Sequence, residues 1–95
     1  MTPSAYEWDE NKNHINIKKH CVSFQEAQNA FMYPKRIIIK DKKHSEVEER
    51  FFCIGITENG IATVRFTMRN NNIRIIGAGY WREGKERYEE ENNIH

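Results

Sequence analysis

The chain has 95 residues, 38% of them apolar and 12% aromatic, enough for the core of one domain and too few for a deep cofactor cavity. Its 15 Lys and Arg nearly cancel 14 Asp and Glu, and a formal net charge of +1 neither demands nor excludes nucleic acid. No stretch approaches the roughly 18 apolar residues of a membrane span, and the opening MTPSAYEWDENK has no apolar run of a signal peptide, so a cytoplasmic protein with reduced Cys21 and Cys53 is expected.

Tyr6–Trp8 reads as a short strand. Asp9 then caps a helix over 10–20, with Glu10 near its positive end; the apolar pattern is thin, as in a surface element. In SFQEAQNAFM, Ser23 and Glu26 make a capping box, and Phe24, Ala27, Ala30 and Phe31 share one face of a second helix that Pro34 stops. Arg36–Lys40 is β-branched and strand-like, whereas 41–49 (DKKHSEVEE) is too polar for core and reads as a loop. Arg50–Thr57, Ile61–Met68 and Ile73–Ala78 are three further strands. A last helix over 83–92 is supported by Glu83–Arg87 and Lys85–Glu89, with fraying expected at Glu89–Glu91, at the negative end of the dipole. The whole is an α+β fold: a small antiparallel sheet of four to five strands, two N-terminal helices and one C-terminal helix. Residues 1–95 form one domain, with 1–5 and 92–95 as flexible ends.

Strand register decides which side chains share a face. A three-residue loop, Glu58-Asn59-Gly60, pairs Ile54 with Val64 and Phe52 with Phe66. A four-residue loop, Arg69–Asn72, pairs Met68 with Ile73, Phe66 with Ile75 and Thr67 with Arg74. One face then carries Phe52, Ile54, Ile56, Val64, Phe66, Met68, Ile73 and Ile75, under the helices. The other carries Thr63, Arg65, Thr67 and Arg74, a basic, hydroxyl-dotted surface whose arginines are solvated, paired with Glu48 and Glu49, or open to a phosphate chain.

The segments YEWDENKNHINIKKHCVSFQEAQNAF, HSEVEERFFCIG, VRFTMRNNNIRIIGAG and ERYEE occur in an order that resembles the BrnT family over about Tyr6 to Glu90. W-D-x-x-K, K-H-x-V-S-F, H-S-x-x-E-x-R and I-R-I-I are specific taken together. The resemblance implies a RelE-like fold and a metal-independent endoribonuclease toxin of a type II toxin–antitoxin system that arrests translation and growth, with no cofactor. It also implies a BrnA-like antitoxin in a 2:2 complex, with DNA reached only through that antitoxin and no membrane contact. The chain departs from the family pattern in places. Cys21 stands where glycine is usual, Tyr33-Pro34 replaces Asp-Pro, and Gly77-Ala78-Gly79 stands where many members read Ser-Ala-Arg. An arginine expected at position 79 is therefore missing, and Arg82 is the nearest substitute. That loss supports one alternative, a weakened toxin that only binds its antitoxin; another, a protein that binds RNA without cutting it, needs only the basic face and no proton-transfer group.

Metal-free RNA cleavage needs a group to take the 2′-hydroxyl proton, a cation for the charge on phosphorus, and help for the leaving 5′-oxygen. Arg74 and Arg69 are the first candidates for the cation, with Arg65, Arg82, Arg50 and Lys19 as further RNA contacts. His20 and His44 titrate near neutral pH and are the candidates for proton transfer, or else hydrogen-bonding partners. Glu48 is either a base or the ion-pair partner of Arg50. Tyr80 and Trp81 stack on bases or seal the last helix onto the sheet. His14, His20 and Cys21 fit no common zinc spacing, and no metal is expected.

Overall fold

The first two helices begin where a side-chain oxygen meets free backbone amides. In the computed structural model, which describes residues 5–94, α1 spans Glu10–His20, and Asp9 accepts from the amides of Asn11 and Lys12. Ser23 accepts from the Glu26 amide and opens α2, Phe24–Ala27, which tightens into a 3-10 turn over Gln28–Phe31. Cys21 closes α1 in the left-handed region, at φ 56°. Basic Lys18, Lys19 and His20 suit the negative end of that helix. Five strands make one sheet: β1 (Tyr6–Glu7), β2 (Ile37–Lys40), β3 (Arg50–Thr57), β4 (Gly60–Arg69) and β5 (Asn72–Gly79). Their order is β1-β5-β4-β3-β2. β1 runs parallel to β5 and the other pairs are antiparallel, so the sheet is mixed rather than wholly antiparallel. α3 spans Arg82–Glu91. No described helix is long and apolar enough to cross a membrane.

The β4–β5 register agrees with the sequence reading: Met68 faces Ile73, Thr67 faces Arg74 and Phe66 faces Ile75. The connection is tighter than the expected four residues, because Arg69 pairs with Asn72 and only Asn70 and Asn71, both at positive φ, make the turn. The β3–β4 register differs by one. Thr57 pairs with Gly60 across Glu58-Asn59, which sets Cys53 against Val64 and Phe52 against Arg65. A one-residue slip turns a strand over, so Phe52, Ile54 and Ile56 lie on the arginine face, and Phe51, Cys53 and Gly55 on the core face.

The main core gathers Val22, Phe24, Ala27, Ala30 and Phe31 against Cys53, Val64, Phe66, Ile75 and Ala78. Phe31 meets Phe66 edge-on at 5.0 Å, while Phe51 stacks on Phe66 at 5.5 Å. The 3-10 turn presses so closely on β3 that a Cβ at Gly55 would come 2.2 Å from the Ala30 carbonyl oxygen, a contact only glycine permits. α1 is held differently. Its buried Asn16 donates through Nδ2 to the carbonyls of Val22 and Ala78, both at 2.9 Å, and accepts from the Ala78 amide at 3.2 Å.

α3 packs on the opposite side of the sheet from α2, with Gly84 directly over Thr63. The helices therefore do not share one face, and Ile54 and Tyr88 are buried apart from the main cluster. On α3, Arg87 pairs with Glu91 at 3.1 Å instead of the expected Glu83–Arg87 and Lys85–Glu89 contacts. Of the ends expected to be flexible, 1–4 and 95 lie outside the described residues. Within them the Ala5 carbonyl accepts from Ile73, Asn92 donates to the carbonyls of Lys35 and Tyr88, and Ile94 donates to Glu89.

Candidate functional site

The uncovered part of the arginine face is ordered by strand pairing. Glu7, Arg74, Thr67 and Arg50 are successive partners across β1, β5, β4 and β3, and the Asp41 amide extends the row by donating to the Arg50 carbonyl at 2.7 Å. Arg74 bonds Glu7 at 2.8 Å. Glu48 lies between Arg69, at 3.3 Å, and Arg50, at 3.6 Å. Arg74 and Arg50 thus flank Thr67 in this row rather than Arg74 lying beside Arg65, and Arg50, Arg69 and Arg74 each already have a carboxylate partner. Such half-exposed pairs contribute at most about 1 kcal/mol each to stability. Arg50 Nε is buried without a hydrogen-bond partner, so part of its donor capacity is unspent.

Arg65 stands apart from this row. It pairs with Gly77 on one side and Phe52 on the other, and its guanidinium lies over Gly77, 3.5 Å from where a Cβ would be. Among the described residues this guanidinium makes no ion pair or hydrogen bond. It forms part of the floor of a groove of about 690 Å³ walled by Lys42, Lys43, Trp81 and Glu83. Trp81 enters this groove because Gly79 has no side chain: a Cβ there would lie 2.6 Å from the indole. Trp81 is 44% exposed, and its ring meets that of His20, at the end of α1, edge-on at 5.1 Å. Lys19, beside His20, is exposed.

His44 ends the 3-10 turn Lys42–His44, where its Nδ1 sits 3.0 Å from Asp41 Oδ2. Asp41 is only 4% exposed, against the expectation that 41–49 holds no buried residue. The turn folds back over the sheet edge and takes this carboxylate inside. Tyr80 is also placed otherwise than a base-stacking residue requires. Its hydroxyl donates to Glu26 and lies 2.6 Å from Thr57 Oγ1, fastening the end of β5 to α2 and the β3–β4 turn. Burial, and then the bond to Glu26, push its pKa up. Arg82 opens α3 and borders a second groove, of about 480 Å³, away from Arg69 and Arg74.

Sequence reasoning missed Glu7 and Asp41. Glu7 belongs to a two-residue strand whose parallel partner is 67 positions away, which no local pattern reveals. Asp41 had a faint local signal, an aspartate three residues before a histidine at a strand end. Among the described residues, no group of three His, Cys, Asp or Glu gathers as a metal site would.

A comparison with curated proteins finds no match. The model of a family described as the ribonuclease toxin BrnT of type II toxin–antitoxin systems matches residues 8–85. The match takes in α1, the 41–45 turn, the arginine row from β3 to β5, and Trp81. The chain belongs to the BrnT family of ribonuclease toxins of type II toxin–antitoxin systems.

Proposed function

We propose that the protein is a cytoplasmic, metal-independent endoribonuclease toxin that cuts single-stranded RNA along the arginine face and so stops translation. The observation that carries this reading is Arg65, a guanidinium without an ion-pair or hydrogen-bond partner among the described residues, in a groove beside an exposed indole and two lysines. An unpaired guanidinium can fork onto a phosphate without first giving up a carboxylate, which makes Arg65 a better phosphate contact than Arg74 or Arg69. Trp81 offers a stacking surface for a base that has left its helix.

In the proposed reaction the ribose 2′-oxygen attacks phosphorus and its proton passes to His44. The bond to the 5′-oxygen breaks, and that oxygen takes a proton from His20 or water. The products are a 2′,3′-cyclic phosphate and a 5′-hydroxyl. Arg65 holds the charge that builds on the phosphorane, with Arg50, Arg69 and Arg74 along the strand path. A BrnA-like antitoxin in a 2:2 assembly neutralises the toxin by laying an acidic segment over this groove.

The test uses purified protein on single-stranded RNA with a chelator present. Wild type should cut, and Arg65→Ala should lose about 10²–10³-fold in rate. Equal cleavage by both proteins would remove Arg65 from the reaction; cleavage abolished by the chelator would remove the metal-free mechanism. A folded wild type that never cuts RNA would favour the second reading, a weakened toxin that only binds its antitoxin. That reading is supported by the indole filling the space where a side chain at 79 would project.

A further inference from the structure

We propose that Asp41 is the positioning residue of this ribonuclease site, fixing His44 in the tautomer whose free Nε2 takes the 2′-hydroxyl proton. The inference rests on the ribonuclease reading above and adds to it a residue and a protonation state.

A carboxylate that is 4% exposed requires a reason, since burying an ionised group is costly unless it is bonded. The common reason at the start of a turn is capping, in which the carboxylate accepts from the turn's own amides. Asp41 does not do this: its side chain makes no capping hydrogen bond to the turn it opens. Its Oδ2 is used instead on His44 Nδ1, at 3.0 Å. The contact leaves the imidazole 46% exposed, and Nε2 makes no hydrogen bond among the described residues.

The backbone around the pair is held at both ends. The Asp41 amide donates to the Arg50 carbonyl at 2.7 Å, and Ser45 Oγ donates to the Asp41 carbonyl at 2.6 Å while accepting from the Arg50 amide at 3.0 Å. Asp41 and Ser45, on either side of His44, are therefore clamped to the strand that carries Arg50, next in register to Thr67 and Arg74. A buried carboxylate accepting from Nδ1–H keeps the proton on that nitrogen and leaves Nε2 as a base facing outward. As the 2′-oxygen bonds to phosphorus and the bond to the 5′-oxygen breaks, the 2′ proton moves to Nε2. Asp41 stays ionised and stabilises the imidazolium so formed.

The test combines nitrogen NMR of the His44 ring with cleavage kinetics of wild type, Asp41→Asn, His44→Ala and the double variant. In wild type at a pH where the ring is neutral, the expected signal is Nδ1–H with a bare Nε2. In Asp41→Asn the Nε2–H form should appear, and kcat should fall about 10²–10³-fold with KM changed less than about threefold. His44→Ala should lose at least as much, and the double variant should lose no more than His44→Ala alone. Loss in the double variant equal to the product of the two single losses would overturn the proposal, because the residues would then act independently. An Nε2–H tautomer in wild type would overturn it without any variant, which covers the case in which Asp41→Asn fails to fold. Wild type that cuts RNA while His44→Ala cuts equally well sinks Asp41 and leaves the ribonuclease reading standing. Wild type that cuts no RNA sinks the ribonuclease reading itself, and Asp41 has no reaction to position.

Discussion

Replacing Asn16 by alanine tests how α1 is held. The side chain is 8% exposed and makes three hydrogen bonds to backbone groups of Val22 and Ala78, two residues with no exposed surface. In effect the amide acts as an extra peptide unit, bonding both the N–H and the C=O of Ala78. At about 1 kcal/mol per bond, plus a penalty for buried groups left unpaired, the loss comes to about 3–5 kcal/mol. A chain of this length has only about 5–14 kcal/mol of stability to lose. Urea unfolding should therefore show a large fall in midpoint with an unchanged slope. Ile17→Ala is the control, since Ile17 is 41% exposed and its truncation should cost under about 1 kcal/mol. An Asn16→Ala loss no larger than that of Ile17→Ala would refute the idea that buried amides, rather than apolar contacts, anchor this helix.

Three more outcomes can be checked. Cys21→Gly should stabilise the protein by about 1 kcal/mol in the same unfolding assay, because a side chain at φ 56° is strained and glycine is not; an unchanged midpoint would show no strain there. Burial pushes the Cys53 thiol from its ordinary 9.0 up to about 12, so folding favours the protonated form. Stability should hold below pH 9 and fall as pH rises toward 12, with the raised Tyr80 pKa acting in the same sense, and a thiol reagent should label exposed Cys21 well before Cys53. Gly79→Ala should cost about 1–3 kcal/mol and drive the indole off its seat, read as a change in Trp81 fluorescence in a Trp8→Phe background, with weaker RNA binding. An unmoved Trp81 signal would contradict the contact.

Most elements were legible because their signals are local: the Asp9 and Ser23 caps, the β-branched runs, and the asparagine turn before β5. The parity of β3 was not. Phe51-Phe52-Cys53-Ile54 is apolar on both alternations, and both faces of this strand are partly covered, one by the 3-10 turn and the other by α3. A strand covered on two sides loses the alternation that reveals register. Gly60 also misled: its positive φ of 132° falls at the first position of β4 rather than inside the loop. Arg50 joins the row through β3, whose register was misread, whereas setting Arg74 beside Thr67 was within reach of the sequence, since β4 and β5 were read in correct register. Which of the arginines lacks a carboxylate was not, because Glu7 arrives on a parallel strand from the other end of the chain.

That parallel strand also bears on the order of assembly. β2 through β5 form a meander of hairpins between neighbours in sequence, which can close as the chain emerges. β1 and α1 are made first, yet their partners on β5 lie 67 and 62 residues later, so they must wait. The groove waits with them, since Trp81 follows β5 directly and His20 ends α1. A nascent chain is thus without this groove until translation has passed α3, and a chain that ends before residue 81 lacks the indole that walls it.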